Sequence, residues 1–204
     1  SFLIIPLALF FIIKGSFYFI FFLNIVFFAT IYEWFKMTKN SNTSKIIGTI
    51  FIFFSFYSAY LFRDEQGVRV FLFIVIISIL ADVGGYIFGK TFRGPKLTKI
   101  SPNKTYSGVL GGFLFSIIGG MTYFNLLMGD ITLKLEQHIT VLVFISLISL
   151  ISQLGDLIIS FFKRIGKMKN TGKILPGHGG LLDRIDGIIF TIPSSYVILN
   201  YINL

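Results

Sequence analysis

Long, unbroken apolar runs are the feature that most narrows what this sequence can become. Residues 16 to 35, 46 to 62, 70 to 89, 107 to 128, 139 to 162 and 182 to 203 each form such a run between charged or turn-forming breaks. A hydrocarbon core about 30 Å thick needs roughly 20 apolar residues of helix to cross it, and only elements with closed backbone hydrogen bonding are stable there. The runs are continuous rather than alternating, which excludes the ~10-residue strands of a membrane barrel. Charged residues make up 13% of the chain, against about 25% in a soluble domain. The expected fold is an all-α integral membrane protein, a polytopic bundle of about six to seven transmembrane helices with a polar cavity facing the cytoplasm. Residues 2 to 13 form a further, shorter run; as the chain begins at Ser1, it reads as the end of a span, a signal-like segment or a tilted helix. No soluble domain remains. Within one membrane domain, residues 1–80 read as N-terminal helices and residues 81–204 as the region carrying the catalytic motifs.

The connections divide by charge. One holds Lys36, Lys39 and Lys45, the next but one Lys90, Arg93, Lys96, Lys99 and Lys104, and the third Lys163, Arg164, Lys167, Lys169 and Lys173. Those between them hold Lys14, then Arg63, Asp64, Glu65 and Arg69, then Asp130, Lys134 and Glu136, so their basic residues are few and largely cancelled. The positive-inside rule then makes the three basic loops cytoplasmic. They account for most of the net charge of +9 without any nucleic-acid partner. The absence of Cys excludes disulfides and thiolate metal sites.

The acids near or within spans are Glu33, Asp82, Asp156, Asp183 and Asp186. Asp82 lies eight residues before Lys90 and Asp156 seven before Lys163, which puts each roughly 10 to 12 Å below the basic loops. Asp183 and Asp186 enter from the same side. An unpaired carboxylate at such depth costs at least ~2.5 kcal/mol, so a shared polar cavity is expected to serve these four. Glu33, beside Trp34 at a span end, reads instead as an interfacial, snorkelling residue. In QLGDLIISFFKR, helical spacing stacks Gln153, Asp156, Ser160 and Lys163 on one stripe. Hard oxygen ligands of this kind suit Mg²⁺, which prefers one or two carboxylates plus phosphate oxygens and waters.

The stretch GKILPGHGGLLDRIDG places Gly177, His178, Gly179 and Gly180 in a turn directly before a helix. The first N–H groups of a helix lack intrahelical partners, so this turn is expected to receive an anion. Asp183 and Asp186 beside it are compatible with phosphate only if cations intervene; Arg184, the basic loop and a metal supply them. His178 is expected to donate a hydrogen bond to phosphate or to shape the turn, because a phosphate monoester is already largely ionised at neutral pH and needs no general base. In the loop RGPKLTKISPNKTYSG, Ser101, Lys104 and Thr105 mix hydroxyls with ammonium groups, which suits a polyphosphate.

At these residues the sequence resembles the phosphatidate cytidylyltransferase (CDP-diacylglycerol synthase) family. SFFKRIGKMKNTGKILPGHGGLLDRID, residues 160 to 186, is similar to that family's C-terminal signature S-x-x-K-R-x4-K-D-x-G-x2-[LIF]-P-G-H-G-G-x-x-D-R-x-D. DVGGYIFGK from Asp82 and ISPNKTYSG from Ile100 resemble two further blocks, D-x-x-A-Y-x-x-G-[KR] and I-S-P-x-K-T-x-E-G. Asn170, Ser107 and Gly85 depart from the pattern, standing where the family has Asp, Glu and Ala.

The resemblance implies transfer of a cytidylyl group from CTP to phosphatidate, giving CDP-diacylglycerol and pyrophosphate. It also implies a homodimeric enzyme among the lipids of a bacterial inner membrane, its active site facing the cytoplasm. Mg²⁺ is the implied cofactor, one ion or two, with Asp156 and Asp183 as its ligands. On this basis Asp156, Asp183, Asp186, Lys163, Arg164, Arg184 and His178 are the expected catalytic residues. Asp82, Ser101, Lys104, Thr105, Ser160, Lys169, Gly177, Gly179 and Gly180 are expected to bind substrate. Two other readings fit parts of the sequence. DRIDG contains the D-x-x-D-G of CDP-alcohol phosphotransferases, but that family's later A-R and second aspartate pair do not follow in the apolar residues 188 to 204. An ion-coupled transporter would use the buried acids as a relay but leaves PGHGG and SPNKT unexplained.

Overall fold

Each apolar run becomes a helix because in lipid the backbone must satisfy its own hydrogen bonds. A computed structural model of the chain describes residues 4–98, 100–127, 135–172, 174 and 179–202. Among these the order is α1 (Ile4–Lys14), α2 (Ser16–Met37), α3 (Asn42–Glu65), α4 (Gly67–Phe92), α5 (Tyr106–Leu127), α6 (Leu135–Ile165), α7 (Leu182–Ile185) and α8 (Ile188–Ile202). Five of them, α2 to α6, are long and apolar enough to cross a bilayer.

The expected span from 182 to 203 is not one helix. The Asp186 carboxyl accepts the Gly187 N–H at 3.0 Å, a local bond that competes with the helical ladder. The chain breaks there into the four-residue α7 and the 15-residue α8. At about 1.5 Å per residue α8 measures roughly 22 Å, short of a hydrocarbon core.

The basic loops meet at one end of the bundle, as the charge alternation requires. The α4–α5 loop touches the end of α6 through the Arg164 Nε donating to the Ile100 carbonyl at 3.1 Å. The segment entering α7 meets the end of α2 through the Leu181 N–H donating to Glu33 Oε1 at 3.0 Å. At the opposite end, Arg63 Nε donates to the Ile12 carbonyl at 3.2 Å and the Tyr123 hydroxyl to the Arg69 carbonyl at 3.0 Å.

Helices α4 and α5 form the closest pair. A Cβ on Gly84 would overlap the Gly111 carbonyl, so small residues let the two backbones approach. Polar side chains then tie the bundle internally: Ser116 donates to the Ile77 carbonyl at 3.1 Å, and Ser78 and Thr191 hydroxyls lie 3.0 Å apart. The main apolar core holds Phe62, Ile74, Ile77, Ile145 and Ile148. A second cluster, with Trp34, Met37, Ile52, Ile159, Leu182 and Ile189, lies where α2, α3, α6, α7 and α8 converge.

Pro193 lies inside α8. It has no N–H to offer the Ile189 carbonyl one turn earlier, so that buried acceptor needs another donor. Ser55 on α3 supplies it, its hydroxyl donating to Ile189 O at 2.7 Å. Ser55→Ala should therefore lower stability by about 1–3 kcal/mol, read as a fall in the unfolding midpoint in detergent, whereas Ser55→Thr, which keeps the hydroxyl, should lose much less.

Candidate active site

The α4–α5 loop aims Lys104 at α6. The Lys104 N–H donates to the Ser101 carbonyl at 3.0 Å, closing a four-residue turn with Pro102 at its second position, where the fixed φ of proline suits a turn. The Leu97 N–H donates to the Lys104 carbonyl at 2.8 Å and steadies the loop across its width. The Thr105 hydroxyl accepts the Gly108 N–H at 3.1 Å, capping α5. Held this way, the Lys104 ammonium pairs with Asp156 and lies 3.5 Å from the Gln153 carbonyl.

Around this pair is a cavity of about 300 Å³ between α4, the loop, α5 and α6, lined by Asp82, Ser101, Lys104, Thr105, Gln153 and Asp156 among others. Residues from two of the motif blocks and from the α6 stripe thus share one space. Asp82 lies within electrostatic reach of both Asp156 and Lys104. The predicted α6 stripe forms: the Ser160 hydroxyl lies 3.4 Å from Asp156 Oδ1.

The four deep acids do not all line this cavity. Asp183 and Asp186 are absent from its walls. Asp183 meets Lys163, its Oδ1 2.8 Å from Nζ, with the side chains only 13% and 11% exposed. Its Oδ2 accepts the N–H groups of Thr171 at 2.9 Å and Gly180 at 3.0 Å. Burial acts to raise the Asp183 pKa, but the Lys163 hydrogen bond, the two backbone donors and the Lys163 charge outweigh it and hold the group below the ordinary carboxylate range. Asp186 is buried at 7% exposure, within electrostatic reach of Asp156, Asp82 and Lys163.

Two expectations are corrected here. Glu33 does not snorkel: it is fully buried and accepts hydrogen bonds from the Thr171 hydroxyl (2.8 Å), Leu181 N–H (3.0 Å) and Leu182 N–H (2.8 Å). The turn before α7 does not present its N–H groups at Gly180, Leu181 and Leu182 to a bound anion either, because Asp183 and Glu33 already take them. Buried first-turn donors need acceptors, and here two carboxyls of the protein provide them. Gly179 adopts φ +87°, a left-handed conformation open to glycine, as the chain turns toward α7.

Other expected site residues are placed as follows. Arg164 is exposed and donates to the carbonyls of Ile100 and Met168, so it clips the loop to α6. Arg184 and Lys169 are exposed. Gly177 and His178 lie outside the described residues. Sequence reasoning missed Glu33 and Thr171. The available signal was that Glu33 sits at the same bundle end as the other acids, although Lys36, one helical turn on along α2, offers it a surface partner in the sequence.

Among the described residues no three His, Asp or Glu side chains gather as a metal cage. Mg²⁺ does not need one, since it keeps waters and takes one or two carboxylates with phosphate oxygens. The Asp82 and Asp156 carboxylates facing the cavity are a donor set of that hard-oxygen kind.

The chain is 40% identical over 137 residues to the phosphatidate cytidylyltransferase of Staphylococcus epidermidis, covering 66% of this chain and 50% of that protein. It is 39% identical over 142 residues to the one from Staphylococcus saprophyticus, covering 69% and 53%. Against the one from Staphylococcus aureus it is 40% identical over 157 residues, covering 75% and 55%. The chain thus spans about half the length of the curated relatives it matches. The match to the family itself extends over residues 45–202, which takes in the cavity, the Lys163–Asp183 pair and all but the first helices, and the chain belongs to the cytidylyltransferase family.

Proposed function

We propose that the protein transfers the cytidylyl group of CTP to phosphatidate, forming CDP-diacylglycerol and releasing pyrophosphate. The observation that carries this reading is the cavity in which Asp82, Lys104 and Asp156 meet from three helical and loop elements. A phosphatidate oxygen attacks the α-phosphorus of CTP in line, and the bond to the bridging oxygen of the β-phosphate breaks. Little covalent work falls to the protein, so positioning and charge neutralisation dominate. Lys104 and Lys163 bind phosphate oxygens, and Ser101, Thr105 and Ser160 add hydroxyl donors. Asp156 and Asp183 would hold Mg²⁺, which when bound would supply positive charge to offset that of the phosphates. Asp186, buried behind Asp156, keeps that end of α6 polar. The acyl chains of phosphatidate stay in lipid. The reaction in this reading takes place at the cytoplasmic face of a bacterial inner membrane, which the charge alternation of the loops supports, and the proposed enzyme is a homodimer.

The test is reconstitution of the purified protein in vesicles containing phosphatidate, with CTP and Mg²⁺ added. Equal amounts of pyrophosphate and CDP-diacylglycerol are expected. Absence of the liponucleotide at saturating CTP would overturn the reading.

A further inference from the structure

We propose that Glu33 is a positioning residue for this site: from α2 it holds the turn at residues 180–182, and through that turn it sets where the Asp183 carboxylate stands. The hold is geometric and independent of the proposed reaction; its catalytic consequence rests on that reading.

The Leu181 position at the start of α7 carries no side-chain cap of its own. A helix of four residues cannot maintain itself by its own hydrogen bonds. Glu33 does the capping from another helix, Oε1 accepting from Leu181 N–H and Oε2 from Leu182 N–H and the Thr171 hydroxyl. Thr171 joins the two carboxyls, giving its hydroxyl to Glu33 and its N–H to Asp183. Gly180 donates the N–H just before this pair to Asp183. Two carboxyls on different elements therefore hold one turn between them.

The sequence makes space for this arrangement. A Cβ on Gly172 or on Gly180 would overlap the Glu33 carboxyl. Ordinary helix-to-helix pairing needs one partner and no such clearance. Glu33 also lies outside residues 45–202, so the family match assigns it nothing.

The reconstituted chain carrying Glu33→Ala, Glu33→Gln or Thr171→Val would be compared with the unmodified protein by amide hydrogen exchange, by kcat and KM, and by thermal unfolding. Glu33→Ala should speed exchange at Leu181 and Leu182 by at least ~10-fold, since local opening no longer has to break those bonds. Its kcat should fall by about 10²-fold, as expected for a displacement near 1 Å, with KM for phosphatidate changed by less than ~3-fold. Glu33→Gln, which keeps the shape and one acceptor oxygen, should recover part of both losses. Thr171→Val, which removes one donor only, should show a smaller effect in the same direction. Unchanged exchange at Leu181 and Leu182 in Glu33→Ala would overturn the hold. Faster exchange with unchanged kcat would overturn its catalytic consequence. Should Glu33→Ala fail to fold, Glu33→Gln and Thr171→Val decide by the same two readouts. If the unmodified protein makes no liponucleotide, the transferase reading fails while the exchange data still decide what Glu33 does.

Discussion

Asp183→Asn is expected to lower Mg²⁺-dependent turnover by about 10²–10³-fold, a loss of the size seen when preorganised charge stabilisation is removed. The side chain accepts from three donors, Lys163 Nζ on one oxygen and two backbone N–H groups on the other. An amide offers one oxygen and one NH₂. Whichever way it turns, it faces either the ammonium or the backbone pair with a donor, and Lys163 loses its counter-charge. The pair then cannot place an ammonium and a cation around the same phosphates. Liponucleotide formation by proteoliposomes measures the effect, and a variant within about tenfold of the parent would remove Asp183 from the chemistry. The pKa of this group predicts the pH behaviour. Because the folded-state pKa is held below its unfolded value, the stability it contributes is fully present above the ordinary carboxylate range and is lost only as pH falls through the lowered value. An acid limb of the rate profile near neutrality would therefore belong to another group.

The readable part of this protein is the part governed by single large costs. A charge in hydrocarbon is expensive wherever it occurs, so the alternating basic loops indicated which helix ends lie together, and Arg164, Lys104 and Glu33 contacts place them so. Asp156 and Ser160 stack because a helix has one period, and Lys104 reaches them because SPNK is a turn that must fold back. The unreadable part depends on partners distant in sequence. The donors to Glu33 lie 138, 148 and 149 residues away, and beside Trp34 alone the residue looks interfacial. The same partnership turned an expected anion site into an internal cap, since a vacant helix terminus and a filled one have identical sequences. The break between α7 and α8 rests on one bond, from Gly187 N–H to the preceding carboxyl, too weak to compete in a reading dominated by hydropathy. Pro193 does not break α8, because Ser55 satisfies the freed carbonyl.

Lys104→Met should separate the nucleotide and the metal proposed for the cavity by changing their affinities in opposite directions. Lys104 stands against Asp156 with both side chains about one-quarter exposed, 25% and 24%, so the ammonium is close enough to the cavity to serve either a carboxylate or a phosphate. Methionine keeps much of the stem and removes the charge. CTP then loses a phosphate partner, and kcat/KM for CTP should fall by at least ~10²-fold, about 3 kcal/mol at the transition state. Asp156 at the same time loses its competing cation, so Mn²⁺ used as a spectroscopic stand-in for Mg²⁺ should bind the nucleotide-free variant several-fold more tightly. Lys104→Arg should restore little of the activity, because a planar fork does not replace a compact ammonium seated between a carboxylate and the Gln153 carbonyl. A fall in both affinities together would mean that Lys104 only props the loop against α6; a rise in Mn²⁺ affinity with weaker CTP binding would show the ammonium alternating between the Asp156 carboxylate and the substrate phosphates.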